Sequence, residues 1–445
     1  MSSAHEQHGE LHPHHHDGPR ALPATLTAPP VLAAWRKRSL MIAAIFALLT
    51  LIFAFTPQGR NHIIRAYLMG YMTCFNLAGG GLVVLMLQYV TGGKWGLLLR
   101  RPLEAMSRTL PLVALFCVPI LIPFFGKHLY QWVLYPDVNS TDNAMVHGLI
   151  SREQALTANF KRPMLNPHAL VVESLVIFGV YILFMTLLNR WSLQRDADPR
   201  AGTMASYDYW RTKFENLSGP GILIYVAVLT LGAIVWIKAL DVTWYSSIWG
   251  LQFLVAQGYG VMALGILTVI LLSRYEPMKT LLRTTEQHDL GKFAFAFVML
   301  NIYLTFAEFL IIWSGNIPDE LPWYLHRIQG GWWTICTLDF CCHWLIPFCL
   351  LLSRDLKRNK QKMIWITSFM LFARCVDMFW LIEPNFKDAA SNLVGEPLSI
   401  LAYITVPACV LSLWSAYYIT QLMARPLIVV NDPHLEEMLE PEHAH

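Results

Sequence analysis

Charge is scarce in this sequence: 14% of its 445 residues are Asp, Glu, Lys or Arg, against 55% that are hydrophobic. So few ionisable groups cannot cover the surface of a water-soluble domain this large, which leaves a polytopic membrane protein. A formal net charge of +3 gives no reason to expect a nucleic-acid partner. The signatures of bound redox centres are also missing. All eight cysteines, Cys74, Cys117, Cys336, Cys341, Cys342, Cys349, Cys375 and Cys409, lie in apolar runs, none in an outer loop where a disulfide would form. Cys342-His343 lacks the first cysteine of a C-x-x-C-H haem attachment, and no cysteines have iron–sulfur spacing. A membrane-embedded b-haem needs two histidines at one depth; only His343 is mid-span, while His62, His168 and His326 fall at span ends. The chain is therefore expected to bind no redox metal, and no metal ligand set is assigned.

What is present is ten apolar runs, at about 39–57, 62–90, 109–126, 169–188, 220–240, 244–272, 292–314, 331–352, 363–382 and 399–421. The expected fold is an all-α polytopic membrane protein of ten transmembrane helices. With the N-terminus inside, 23 of the 33 Lys and Arg fall on that side, so both termini are expected to be cytoplasmic. No small-residue cleavage site follows Trp35-Arg36-Lys37-Arg38, so the first run reads as an anchor. Residues 1–34, with His5, His8, His12, His14, His15 and His16, read as a disordered His-rich cytoplasmic tail; 35–425 form the membrane domain and 426–445 a second cytoplasmic tail. The outer exits of the third and seventh spans resemble each other, which hints at two four-helix units, about 62–240 and 244–382.

The scarce charges concentrate in two adjacent spans. Trp332 to Leu352 carries Asp339 and His343, four apart, and Met363 to Ile382 carries Arg374 and Asp377, three apart, so each pair lies on one helix face. A charge at such a depth costs roughly 2.5–3.5 kcal/mol on insertion scales, which makes it a functional-site candidate. Counted inward from Arg354 and Lys362 at about 1.5 Å per residue, all four lie roughly 15–23 Å deep, and Glu308 on the preceding span about 24 Å. These five residues are expected to form one buried network, with Glu383 at the outer end of the ninth span opening it outward.

Elsewhere, Gly79-Gly80-Gly81 reads as a helix-packing seam. Lys127 to His168 reads as an outer platform for a peripheral partner, beginning with an interfacial helix over Gly126 to Trp132. Lys238 and Asp241 read as structural snorkelling charges, and the loop 189–219 as a solvated linker that sets topology. The sixth and tenth spans carry no Asp, Glu, Lys, Arg or His and read as lipid-facing or packing helices. Glu173 is a candidate for a proton or quinone path, and His62, Arg65 and Glu173 are the candidates for a quinone site.

The motif Ser314-Gly315-Asn316-Ile317-Pro318-Asp319-Glu320, followed by Trp323-Tyr324 and Arg327, with Glu308 upstream and Asp339 and His343 downstream, carries a resemblance. It resembles the F-type integral-membrane subunit of bacterial alternative complex III, in the NrfD-like (polysulfide reductase membrane subunit) superfamily. The resemblance runs from Trp35 to Arg425. It implies two four-helix bundles with flanking helices, in a bacterial inner-membrane complex that oxidises quinol and passes electrons to a periplasmic acceptor. The implied partners are a sister NrfD-like membrane subunit, periplasmic iron–sulfur and multihaem c subunits, and membrane lipids. Haem c and iron–sulfur clusters then belong to the partners, no cofactor is bound by this chain, and quinol remains a candidate ligand. The function expected is a non-redox subunit whose proton pathway comprises Glu308, Asp339, His343, Arg374, Asp377, Glu383 and Glu173. Two alternatives stay open within that complex: a quinol-binding subunit, or a structural anchor whose buried ion pairs lock the helices. An independent secondary transporter is disfavoured, because the sixth span is unbroken.

Overall fold

Without water to satisfy backbone N–H and C=O groups, a chain crossing hydrocarbon has to close its hydrogen bonds within helices or a barrel. The computed structural model describes residues 25–318, 320–386 and 399–439, and among these the regular elements are all helical. The first 24 residues of the expected disordered tail lie outside the described residues.

Among the described residues, ten helical segments are long and apolar enough to cross a membrane. Helix α1 spans Val31–Ala54 and α2 spans Pro57–Thr91. Helices α3 (Trp95–Ser107) and α4 (Leu110–Leu121) together make the third span. Two short helices, α5 (Val138–Val146) and α6 (Arg152–Lys161), precede α7 (Pro167–Asp196) and α8 (Met204–Trp236). Then come α9 (Trp249–Leu272), α10 (Thr284–Gly315) and the short α11 (Leu321–Ile328). The eighth span, α12 (Trp332–Leu352), contains a π-helical turn at Phe340–Leu345. Helices α13 (Lys360–Ile382), α14 (Ile400–Met423) and α15 (Pro433–Leu439) complete the chain.

Local chemistry sets the boundaries. Asn166 caps α7 through the Ala169 amide, with Pro167 at the first helical position, where a missing N–H costs nothing. Ser151 and Gln154 form a capping box on α6. Helix α10 stops at Asn316, whose φ of 47° is left-handed, two residues before Pro318. Pro347 cannot donate to the carbonyl four residues back, that of His343, and the turn just before it is the widened π turn.

Helix α2 is the axis of the molecule. It packs on α3, α4, α8, α9, α13 and α14, while α1 lies against α14. The Gly79–Gly81 seam lets this happen. A Cβ on Gly80 would lie 2.7 Å from Val261 Cγ2, and one on Gly81 2.6 Å from Met106 Cβ. Between helices in lipid, where little hydrophobic drive remains, such close approach provides the dispersion energy. Helix α9, the sixth span, is mostly buried among α2, α8, α10 and α13 and so is a packing helix rather than a lipid-facing one.

Three expectations about segments outside the apolar runs change. The third span begins at Trp95 rather than 109, and Gly96 to Ser107 are all buried. The expected interfacial helix over Gly126 to Trp132 is a pair of short turns whose Tyr130 and Trp132 point inward, donating to the carbonyls of Trp236 (2.9 Å) and Ala239 (3.1 Å). The 189–219 linker is mostly helix, because α7 continues to Asp196 and α8 starts at Met204. Near the first and last described residues, Leu427 N donates to Leu26 O at 2.8 Å. This end is the terminal face; the opposite one, carrying α5 and α6, is the platform face.

Candidate functional site

Helix α13 holds two ionisable residues on one stripe, and α12 presents two more to it. Asp339, His343 and Asp377 converge, with one potential ligand atom from each lying within 4.8 Å of the others. Arg374 Nη1 donates to Asp377 Oδ2. His343, Arg374 and Asp377 are buried, and Asp339 is partly buried. The His343 ring packs against Tyr259 of α9, centroids 4.4 Å apart. Asp339 Oδ1, His343 Nε2, Tyr259 Oη and Arg374 Nε and Nη2 are buried without a protein hydrogen-bond partner. So many unsatisfied polar atoms facing one small region are costly unless water or an ion bridges them.

Nearer the platform face a second cluster crosses the α2–α13 seam. Glu383 accepts from Arg65 Nη1 at 3.3 Å and lies 3.6 Å from His62 Nδ1, and Tyr403 of α14 donates to its other oxygen. His62 is also 3.2 Å from the Tyr403 hydroxyl, and the Arg65 guanidinium lies 3.9 Å from the Phe386 ring centroid. All four polar residues are buried. Glu383 follows Asp377 by six residues, about 9 Å along the helix. Asn76 of α2 donates at 3.7 Å to Sδ of Met378, the residue after Asp377, and leaves its Oδ1 unpartnered. A cavity of about 320 Å³ opens at the platform face, lined by Asp241, Arg327, Asn385 and Phe386 among others.

The structure thus joins Asp339, His343, Arg374 and Asp377, and separately joins His62 and Arg65 to Glu383. Glu308 belongs to neither cluster. Its carboxylate accepts from Ser246 Oγ and from Gln252 Nε2 at 2.9 Å, and Lys238 beside it donates to the Ser246 carbonyl at 3.2 Å. Ser246 lies just before α9, so Glu308 is held at the start of α9 rather than beside α12 and α13. Counting residues gives a position along each helix but not the neighbour that a side chain faces. Glu173 is half-buried, with Oε2 unpartnered, and is placed with neither cluster by any of these contacts.

A third network, at the terminal face, has no counterpart in the sequence reading. Glu104 is fully buried; it accepts from Arg101 at 2.6 Å, Ser192 at 2.5 Å and Arg425 at 3.4 Å. Arg101 also pairs with Asp196, and Arg100 bonds Asp432 at 2.6 Å and Gln88 at 3.0 Å. The segment 426–439, expected to be a tail, supplies Asp432 and packs Leu427, Ile428, Val429 and Met438 into the fold. For Asp432 burial alone would raise the carboxyl pKa, but the Arg100 and Arg195 charges outweigh it and hold it below the ordinary 3.8.

Compared with known proteins, the chain matches no family model, and no curated protein sequence matches it.

Proposed function

We propose that this chain is the cofactor-free membrane subunit of a bacterial quinol-oxidising respiratory complex of the alternative complex III type. In this reading it carries protons between the Asp339–His343–Arg374–Asp377 cluster and the periplasmic side. The observation that supports it is the succession of two titratable clusters along α13, at Asp377 and at Glu383, with the unpartnered Asn76 Oδ1 of α2 on the residue that contacts Met378. Protons pass through membranes along titratable side chains and the waters that link them, and buried atoms lacking protein partners are where such waters bind. Asp377 and Asp339 would exchange the proton in mid-membrane, and Arg374 would keep the carboxylates from both becoming neutral. Glu383 would relay it outward past Phe386 to the cavity. On the orientation expected from the Lys and Arg distribution, the platform face is periplasmic and both termini are cytoplasmic. The implied partners, a sister NrfD-like subunit and periplasmic iron–sulfur and multihaem subunits, would supply the redox centres.

The test is proton release per electron during quinol oxidation by the intact complex in vesicles, comparing the native chain with Asp339→Asn and Asp377→Asn. Lost release with electron transfer and assembly retained is the expected result. Unchanged stoichiometry in both variants would leave the cluster as a structural lock.

One observation favours quinol binding as a second reading: His62 and Glu383 form a histidine–carboxylate pair near a cavity. Quinol would then have to displace Arg65 or Tyr403 from Glu383. Under that reading, His62→Ala abolishes quinol oxidation itself rather than its coupling to protons.

A further inference from the structure

We infer that Asp339, His343 and Asp377 form a binding site for a divalent first-row transition ion, with Zn²⁺ as the natural probe. This rests on the same cluster as the proton-conducting reading and adds a ligand to it. The geometry comes from two helices. The π turn of α12 presents His343 one turn along from Asp339, and α13 brings Asp377 up beside them, so that one imidazole and two carboxylates share a small volume. Their ligand atoms lie within 4.8 Å of one another, and small side-chain rotations suffice to bring them onto bonds of about 2.0–2.2 Å.

Two further observations point to a ligand. His343 is 6% exposed, and its Nε2 has no protein partner. Asp339 Oδ1 is unpartnered as well, and the Tyr259 hydroxyl, on the residue whose ring packs against His343, has no partner either. A purely structural lock would pair these atoms with each other or with Arg374. Arg374 instead bonds only Asp377 Oδ2, which leaves Oδ1 of that carboxylate as a ligand.

The donor set selects the ion. Imidazole with carboxylates suits zinc and its neighbours, whereas Ca²⁺ asks for six to eight oxygens and Mg²⁺ retains several waters. The charges set the strength. Two carboxylates and one guanidinium leave a net charge of −1 around the ion, and the cation beside the site weakens its hold on a divalent ion. The physiological consequence is inhibition, since an ion held on these lone pairs occupies the groups that the proton path would use.

The experiment uses the full chain purified in detergent, in a form with His5, His8, His12, His14, His15 and His16 changed to Ser so that the histidine run cannot bind the probe. Zinc binding is measured by equilibrium dialysis, and the ligands by zinc-edge X-ray absorption. We expect one ion with mixed imidazole and carboxylate ligands, and a loss of affinity of about tenfold or more in His343→Ala and in the shape-conserving Asp339→Asn. Zinc affinity unchanged in both variants, or no bound zinc in the parent, would overturn the inference. Zinc lost in both variants while proton release per electron stays normal in Asp339→Asn supports the metal site and counts against the conduction reading alone.

Discussion

Arg65 and Glu383 lie 318 residues apart in the chain and meet at 3.3 Å, joining the platform end of α2 to that of α13. Both are buried, so each charge offsets part of the cost of burying the other. Replacing Arg65 with Leu removes one cation from the Glu383 carboxylate and leaves His62 and Tyr403 beside it. A loss of about 3–5 kcal/mol in unfolding free energy is expected, with Glu383→Gln less damaging because the amide still bonds. Chemical denaturation in detergent measures both, and additive effects in the double variant would contradict the pairing.

The seam at Gly80 and Gly81 sets how closely α2 approaches α9 and α3. In Gly81→Ala the new methyl would meet Met106 Cβ at 2.6 Å and the Leu103 carbonyl at 3.3 Å, the latter being backbone that cannot rotate away. Destabilisation of about 1–3 kcal/mol should follow, typical of overpacking. At Gly96 the obstacle is the Gln88 side chain, which holds Arg100 Nε at 3.0 Å. Gly96→Ala is therefore expected to act through the Arg100–Asp432 pair. Equal melting temperatures for native protein and Gly81→Ala would refute the seam argument.

Acidification should free the C-terminal strap. The pKa of Asp432 is lower in the folded chain than the ordinary 3.8, so its ionisation stabilises the fold above that value. This contribution disappears as the pH falls from 3.8 through the folded pKa, because the unfolded state binds the proton first. Limited proteolysis across pH 5 to 2 should show the segment 426–439 opening in that window in the native chain. In Asp432→Asn it should already be labile at neutral pH, and a strap with identical pH dependence in the variant would exclude this carboxylate as its latch.

Removing the Arg374 charge should unbalance the mid-membrane cluster more than removing one carboxylate. Arg374→Met leaves two buried carboxylates facing each other, whereas Asp377→Asn leaves one carboxylate and one guanidinium. Arg374→Met is expected to lower folded yield in membranes by the larger factor, with partial rescue when combined with Asp377→Asn. Absence of rescue would mean that the two side chains do not depend on each other.

Some of this was legible in the sequence because it depends on short-range periodicity. Ten apolar runs correspond to ten helical spans among the described residues, the third made of two helices, since a chain crossing hydrocarbon closes its hydrogen bonds within helices. Asp339 with His343 and Arg374 with Asp377 were legible as stripes from their spacing, and their shared depth followed from counting along two helices joined by a short turn. Glu308 shows the limit of that counting, because a shared depth does not say which neighbouring helix a side chain faces. Arg100, Arg101 and Glu104 fall between the apolar runs 62–90 and 109–126, and nothing in their neighbourhood indicates that Asp432 and Arg425 return to cover them.

The sequence by itself determined the class, the number of crossings and which few charges had to be buried, because hydrophobic length and helical spacing are local properties. The tertiary structure alone decided who pairs with whom. His62 and Arg65 meet Glu383, Glu308 turns to Ser246 and Gln252, and Arg100 takes Asp432. Such pairings depend on helix rotation, tilt and close approach at glycines. These are set by the packing of all the helices together, which no single segment encodes.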